Sequence, residues 1–255
     1  MSRLLGVVSP TALTPAGAVG AELLSAFLRL AVLHADGWGL ARQPRDGSAP
    51  DLRIGTDVVT LPAPRGTGHL LSLRFASAGS PPSPENSQPF LRDGIAFAHN
   101  GLLAPRERLL EALTAEARAG LQGATDSEAY LALVLDIRRS DAAGPRACAA
   151  RAASAVRARF PDACLNAMLL WDGALLVVHS RGTVPAPHAA FARRGLPTLP
   201  PGHDDEEYNR LAWTTRPGGA QVVATSGVDR TGWEALPEDS VTVFRAGTDP
   251  VSIAI

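Results

Sequence analysis

The sequence predicts an α+β fold built from two mainly antiparallel sheets that share a core. Two observations carry this. Apolar runs of strand length come in two batches, one within the first hundred residues and one from Ala163 to the C-terminus, with helix-length segments mostly between them. The second batch opens on a clear hairpin, "ACLNAMLLWDGALLVVHS", in which two β-like runs flank the turn signal Asp172-Gly173.

The elements follow in order. "RLLGVV" reads as a short buried strand ended by Ser9 and Pro10. Ala21 to Leu33 has the length and the residues of a helix. "DGWGLA" and "RIGTDVVTL" read as strands separated by the polar turn "RQPRDGSAPD", and "HLLSLRFA" as a third strand. The prolines of "GSPPSPENSQP" fix φ and remove donors, which predicts an irregular surface loop. "GIAFAHN" is a strand leading to a turn at Asn100-Gly101, and Pro105 begins a helix running to about Ala119. Thr125 reads as the N-cap of a further helix, with Glu128 completing a capping box. The Pro/Ala/Gly-rich stretch from Gly182 to Gly202 and the acidic "HDDEE" after it have the length of a lid or of a plain surface excursion. "LAWTTR", "QVVAT", "SVTVF" and "VSIAI" close the chain as strands. A chain of 255 residues suits one domain, 1–255, with room for a real core.

Formal net charge is −1, and all 24 basic residues are arginine, so nothing points to nucleic acid or an anionic membrane. Two cysteines without CxxC spacing or clustered histidines argue against a disulfide framework or a metal site. The most apolar stretch, Leu23 to Leu33, contains Arg29 and falls short of the roughly 20 residues of a membrane span. A soluble, cytoplasmic protein is expected.

The candidate chemistry is hydrolysis of an amide. An N-terminal residue supplies both a nucleophile and, through its own α-amine, a base. The α-amino pKa lies near ~8, so part of it is neutral at physiological pH. Ser2 fits once Met1 is removed, and serine is small enough to allow that removal. Asn100 and Gly101, in a turn after a strand, are able to aim a side-chain amide and a backbone N–H at one oxyanion. Arg74 ends an apolar strand and offers a planar fork for a carboxylate; Phe75 and Ser77 flank it as pocket-lining candidates. Asp126 is placed to accept from a substrate ammonium, or to favour a helix N-terminus electrostatically. His34 and Asp36 in "HADGWG" read as a supporting turn whose glycines allow close backbone approach, with Trp38 in the core. His99 reads as an orienting residue rather than the base.

Taken in order, "RLLG", "HADGWG", "RFAS", "NSQPF", "AHNG", "TDSE", "LNAMLLWDG" and "VVATSGVDRTGWEALPEDSVTVF" span nearly the whole chain. That succession resembles the class II glutamine amidotransferases of the N-terminal-nucleophile hydrolases, and more closely their stand-alone bacterial branch. The resemblance implies a four-layer αββα sandwich. It implies a nucleophile at position 2, an oxyanion hole at Asn100 and Gly101, Arg74 on the glutamine carboxylate and Asp126 on its amino group. It implies no cofactor. Two departures stand out: the family nucleophile is cysteine where this chain has Ser2, and a histidine often stands where this chain has Ser72. Ser2 is open to three readings: a substitution introduced to trap substrate, a natural serine enzyme, or a natural protein that binds without cleaving.

The expected reaction is cleavage of glutamine or a γ-glutamyl amide through a γ-glutamyl intermediate on residue 2. Ammonia would pass to a separate synthase partner, or the released amine would itself be the product. The alternative is a γ-glutamyl-binding subunit without catalysis. The 182–202 segment is the candidate for the leaving-group side.

Overall fold

The computed structural model describes residues 2–56, 64–76, 80–141, 143–195 and 199–255. Along the chain run β1 (Arg3–Leu13), α1 (Pro15–Val19), α2 (Ala21–Arg29), β2 (Trp38–Gln43), β3 (Asp51–Gly55), β4 (Gly66–Leu73), β5 (Phe90–Arg92) and β6 (Ile95–Gly101). Then come α3 (Glu107–Leu110), α4 (Ala115–Ala119), α5 (Asp126–Ser140), α6 (Pro145–Arg159), β7 (Leu165–Trp171), β8 (Ala174–His179) and α7 (His188–Arg193). The chain closes with β9 (Ala212–Thr215), β10 (Gln221–Ala224), β11 (Glu234–Ala235), β12 (Ser240–Phe244) and β13 (Val251–Ala254).

Two antiparallel sheets result, in the orders β11-β9-β10-β1-β4-β2-β3 and β13-β12-β8-β7-β6-β5. Alternation along each strand sorts the apolar residues into three layers. Leu4, Val8, Leu70 and Ala41 of the first sheet meet Ala96, Ala98, Met168 and Leu175 of the second. Leu5, Val7 and Leu71 on the outer face of the first sheet pack on Val19, Leu23 and Phe27 of α1 and α2. Ile95, Phe97 and Leu169 on the outer face of the second pack on Leu109, Tyr130, Leu133 and Val156 of α3, α5 and α6. This is the α+β sandwich of helices outside two back-to-back sheets that the sequence predicts.

Local differences from the sequence reading have physical causes. β1 does not stop at Ser9. It pairs on both edges through Val8, and its pairing with β4 then shifts register before Leu13 meets Gly66. Pro10 falls inside that shift, where its missing N–H removes no ladder bond. The helix expected from Pro105 to Ala119 is broken into α3 and α4. Thr114 caps α4 by accepting from Ala117 N, and its own N–H and hydroxyl are tied to Asp136. The helix expected over Ala21–Leu33 is α at first and tightens into a 3₁₀ turn at Leu30–Val32. Of the strand expected in "RIGTDVVTL", residues 57–61 lie outside the described residues. The Asp172-Gly173 hairpin forms as read, with φ of 54° and 67° at the two turn residues.

Thr125 caps α5 by accepting from Glu128 N at 3.1 Å, but the predicted capping box is only half made. The Glu128 carboxylate reaches further back, to the N–H groups of Gln122 (2.7 Å) and Gly123 (2.8 Å), and it pairs with Arg92 at 2.6 Å. The "GSPPSPENSQP" segment is irregular, with a 3₁₀ turn at Pro84–Asn86, yet it is not a surface loop throughout. Ser80, Asn86, Ser87 and Gln88 are buried. Part of the cause lies in "HADGWG". A Cβ on Gly39 would stand 2.2 Å from Gln88 O and 2.7 Å from Pro89 Cδ, so the glycine lets this segment lie directly on β2. Gly39→Ala should therefore cost about 1–3 kcal/mol. Urea denaturation checks this, and an unchanged midpoint would contradict so close an approach.

Candidate active site

Antiparallel register builds the site. β1 and β4 pair Arg3 with Leu73, so Ser2 and Arg74 lie one step further along neighbouring strands. The alternation that sends Leu4, Val8, Ala96 and Ala98 between the sheets brings Ser2 and Asn100 to that same side at the strand ends. The first turn of α5 supplies Asp126 from beyond β6.

These elements enclose a chamber of about 20 Å³, room for a single water. Ser2, Arg74, Phe75, Gly101 and Asp126 line it together with Gln88. Five of the seven sequence candidates thus meet in one place. Asn100 is next to the chamber through its chain neighbours His99 and Gly101, which both line it. Ser77 lies outside the described residues. Ser2 is buried, and so is Arg74.

Asn100 is fully buried, and neither Oδ1 nor Nδ2 has a hydrogen-bond partner among the described residues. Leaving a buried amide unsatisfied costs roughly 1–3 kcal/mol. Gly101 is required where it stands, because a Cβ there would lie 1.9 Å from Cys164 O.

Arg74 has its guanidinium turned onto its own chain. Nη2 donates to Ser80 O (2.8 Å) and Ser80 Oγ (2.6 Å), and Nη1 to Pro81 O (3.2 Å). Burial lowers its pKa, while the carboxylates of Asp36 and Asp126 oppose that shift. Asp126 Oδ2 accepts from Leu103 N at 2.6 Å, so the carboxylate pins the turn that follows Gly101. Asp126 also stands in the first turn of α5, the place the electrostatic reading of the sequence gave it.

His99 is wired into the site. Cys164 O, 3.2 Å from Nε2, is able only to accept, so the proton sits on Nε2. Nδ1 then accepts from Ser127 Oγ at 3.0 Å, and that hydroxyl in turn accepts from Gln88 Nε2 at 3.2 Å. Burial lowers the His99 pKa, against the pull of Asp126. With both nitrogens engaged, the ring orients its neighbours and has no free lone pair for Ser2. Ser80, Gln88 and Ser127 were not singled out from the sequence. For Gln88 and Ser127 the signal was there, in "NSQPF" and "TDSE", but without a role attached.

Asp36 supports the arginine from behind. Its Oδ2 accepts from Ala76 N at 2.8 Å and from Arg194 Nη2 at 2.5 Å. The Arg194 guanidinium lies 4.7 Å from the centroid of the Phe75 ring. The long 182–202 segment is therefore docked on the site through α7 and the residue after it. Phe191 of α7 packs edge-on to Phe75, with ring centroids 5.9 Å apart, and closes a buried cluster with Tyr208 and Leu33. Beneath it lies Arg3, fully buried, 3.9 Å over the Tyr208 ring and donating to Tyr208 O and Ser226 Oγ.

Among the described residues, no group of three or more His, Cys, Asp or Glu is placed to hold a metal, and no helix is long and apolar enough to cross a membrane.

The family described as "Glutamine amidotransferases class-II" matches residues 1–254. No curated protein matches the chain. Among solved structures, a glutamine aminotransferase class-II domain protein from Silicibacter pomeroyi is 15% identical with a TM-score of 0.61, covering 98% of each chain. A predicted glutamine amidotransferase from Pseudomonas aeruginosa is 19% identical with a TM-score of 0.56, over 96% of this chain and 98% of that one. The glutamine phosphoribosylpyrophosphate amidotransferase of B. subtilis, complexed with ADP and GMP, is 16% identical with a TM-score of 0.62. That match covers 99% of this chain and 49% of the enzyme's, so this chain spans about half of it. At these identities the likeness is one of fold.

The buried histidines have a consequence for stability. Burial, aided by the positive charge of Arg3 and opposed by Asp204, pushes the His203 pKa down to about 4. Burial also lowers those of His69, His99 and His179. The unfolded chain takes up these protons below about pH 6.5, where the folded protein does not. The stability is thus fully present above that pH and is lost as pH falls toward 4. The melting temperature should drop by several degrees between pH 7 and pH 5, and less steeply in His203→Gln. A melting temperature that rises toward pH 5 would contradict the assignment.

Proposed function

Since the chain belongs to the class II glutamine amidotransferase family, we propose that it is an amidohydrolase that cleaves glutamine or a γ-glutamyl amide through an ester on Ser2. One observation carries the reading. Residues 2, 74, 101 and 126, far apart in sequence, line a single buried chamber beside an asparagine whose amide is unsatisfied.

In this reading Met1 is removed, and the α-amine of Ser2 takes the hydroxyl proton as Oγ attacks the γ-carbonyl. Asn100 Nδ2 and the Gly101 N–H receive the oxyanion, a contribution of about 3 kcal/mol for each such donor. The C–N bond breaks, and the leaving amine carries away the proton held by the α-amine. Water then attacks the ester with the same amine as base, releasing glutamate and restoring Ser2. Arg74 holds the substrate α-carboxylate, for which it gives up its bonds to Ser80 and Pro81. Asp126, still bonded to Leu103 N, attracts the substrate ammonium with its remaining oxygen. Phe75 forms a wall, and Ser77 completes the lining.

Residues 1–255 act as one domain in this reading, because the layer between the sheets draws on residues from Leu4 to Phe244. Two free buried thiols, Cys148 and Cys164, fit a reducing cytoplasm. When glutamine is the substrate, the ammonia goes to a separate acceptor protein. A second reading, a γ-glutamyl-binding protein that does not cleave, is favoured by the hydroxyl at position 2. A hydroxyl is not ionised at neutral pH, whereas a thiol is so to a few per cent.

Glutaminase assays on protein whose N-terminus has been verified by mass spectrometry separate the two. Ser2→Cys should exceed the serine form by an order of magnitude or more; rates indistinguishable from background in both forms would leave the binding protein. Arg74→Ala should raise the KM for glutamine roughly tenfold or more, in line with the loss of a charge-assisted pair. An unchanged KM would remove Arg74 from the carboxylate.

A further inference from the structure

Beside the chamber opens a cleft of about 720 Å³, within the usual size of a small-molecule site. The two share a wall. Phe75 lines both, and Gly101 of the chamber continues into Leu102 of the cleft. Val184, Pro185 and Ala186, from the segment whose α7 docks on Phe75, also line the cleft.

Its chemistry is uneven in a useful way. The walls are mostly apolar, and two of the large hydrophobic residues left exposed on the described surface belong to it, Leu102 at 46% and Val184 at 42%. Arg108 lines the same cleft; it makes no ion pair among the described residues, and its guanidinium lies 5.2 Å from the Phe160 ring centroid. The one carboxylate in the lining, Asp162, already accepts from the Thr183 hydroxyl at 2.9 Å. An occupant with an apolar body and an anionic end fits this surface.

We propose that the cleft holds the amine half of the substrate, and that the preferred substrates are γ-glutamyl dipeptides whose second residue is an apolar amino acid. The glutamyl half occupies the chamber, which widens beyond its one-water volume as Arg74 leaves Ser80 and Pro81. The apolar side chain of the second residue lies against Leu102 and Val184, and its α-carboxylate meets Arg108. Ammonia, the leaving group from glutamine, uses none of these contacts. The inference rests on the γ-glutamyl reading of the chamber, and it names which γ-glutamyl amide the site selects. The bond broken is the same amide bond. The amino acid departs with the proton carried by the α-amine of Ser2, and water completes the release of glutamate.

Calorimetry on Ser2→Ala, which has no nucleophile at position 2, tests binding without depending on turnover. γ-Glutamyl-leucine should bind roughly tenfold or more tighter than γ-glutamyl-glycine. Val184→Asp, and separately Leu102→Asp, should erase that difference; both side chains are exposed enough for the variants to fold. Arg108→Ala should weaken γ-glutamyl-leucine several-fold and leave γ-glutamyl-isopentylamide, which lacks the carboxylate, as it was. Rates with Ser2→Cys should follow the same order in kcat/KM. Equal affinity for the leucine and glycine compounds overturns the cleft assignment, even where glutamine is hydrolysed. A leucine preference with no turnover of any compound by Ser2→Cys keeps the cleft and overturns the hydrolytic reading. Failure of both dipeptides to bind overturns the two together.

Discussion

The structure depends on the ladder that holds the first strand in the middle of its sheet. β1 is hydrogen-bonded on both edges, to β10 from the last quarter of the chain and to β4 from the second. A strand paired on both sides has no freedom of register, because a slip of one residue would turn Leu4 and Val8 out of the inter-sheet layer and Leu5 and Val7 into it. The position of residue 2 is therefore set by packing far from it. A chain terminus, ordinarily the least ordered part of a domain, becomes a fixed reference against which Arg74 and Gly101 are placed.

Around that reference, polar groups are satisfied by the main chain more than by one another. Arg74 donates to Ser80 and Pro81, Asp126 accepts from Leu103, and Asp36 accepts from Ala76. Each charged side chain thus holds a turn in place. Asn100 differs from these, with both amide atoms buried and without a partner among the described residues. The strand that carries it is held firmly all the same. The preorganisation lies in the neighbours: the His99, Ser127 and Gln88 chain fixes one side of β6, and Cys164 Sγ donates to Asn100 O at 3.1 Å on the strand itself.

Much of this was legible in the sequence because it was written in local chemistry. Asp172-Gly173 needs only its two neighbouring runs to declare a hairpin, and Thr125 needs only an N–H three residues on. What escaped was decided at long range. Glu128 looked like the partner of its own cap, but Arg92, 36 residues away, and the preceding loop compete for the carboxylate. The helix expected from Pro105 onward breaks at Thr114 because Asp136 on α5 takes its N–H and hydroxyl. Helix α6, rich in alanine and arginine, drew no assignment, since six buried residues of small or moderate size, mostly alanine, give little apolar contrast. The burial of Ser80 and Gln88 depends on Gly39 leaving room, which no window around "GSPPSPENSQP" contains. The meeting of residues 2, 74, 101 and 126 was readable only from the order of motifs along the whole chain.

One carboxylate oxygen ties two parts of the molecule together. Asp36 Oδ2 accepts both from Ala76 N, just past Arg74, and from Arg194, just past α7. Strengthening either bond withdraws electron density from the other. The turn after Arg74 and the residue after α7 thus share one anchor. Removing that carboxylate would leave the Ala76 N–H and the Arg194 guanidinium without this acceptor at the same time.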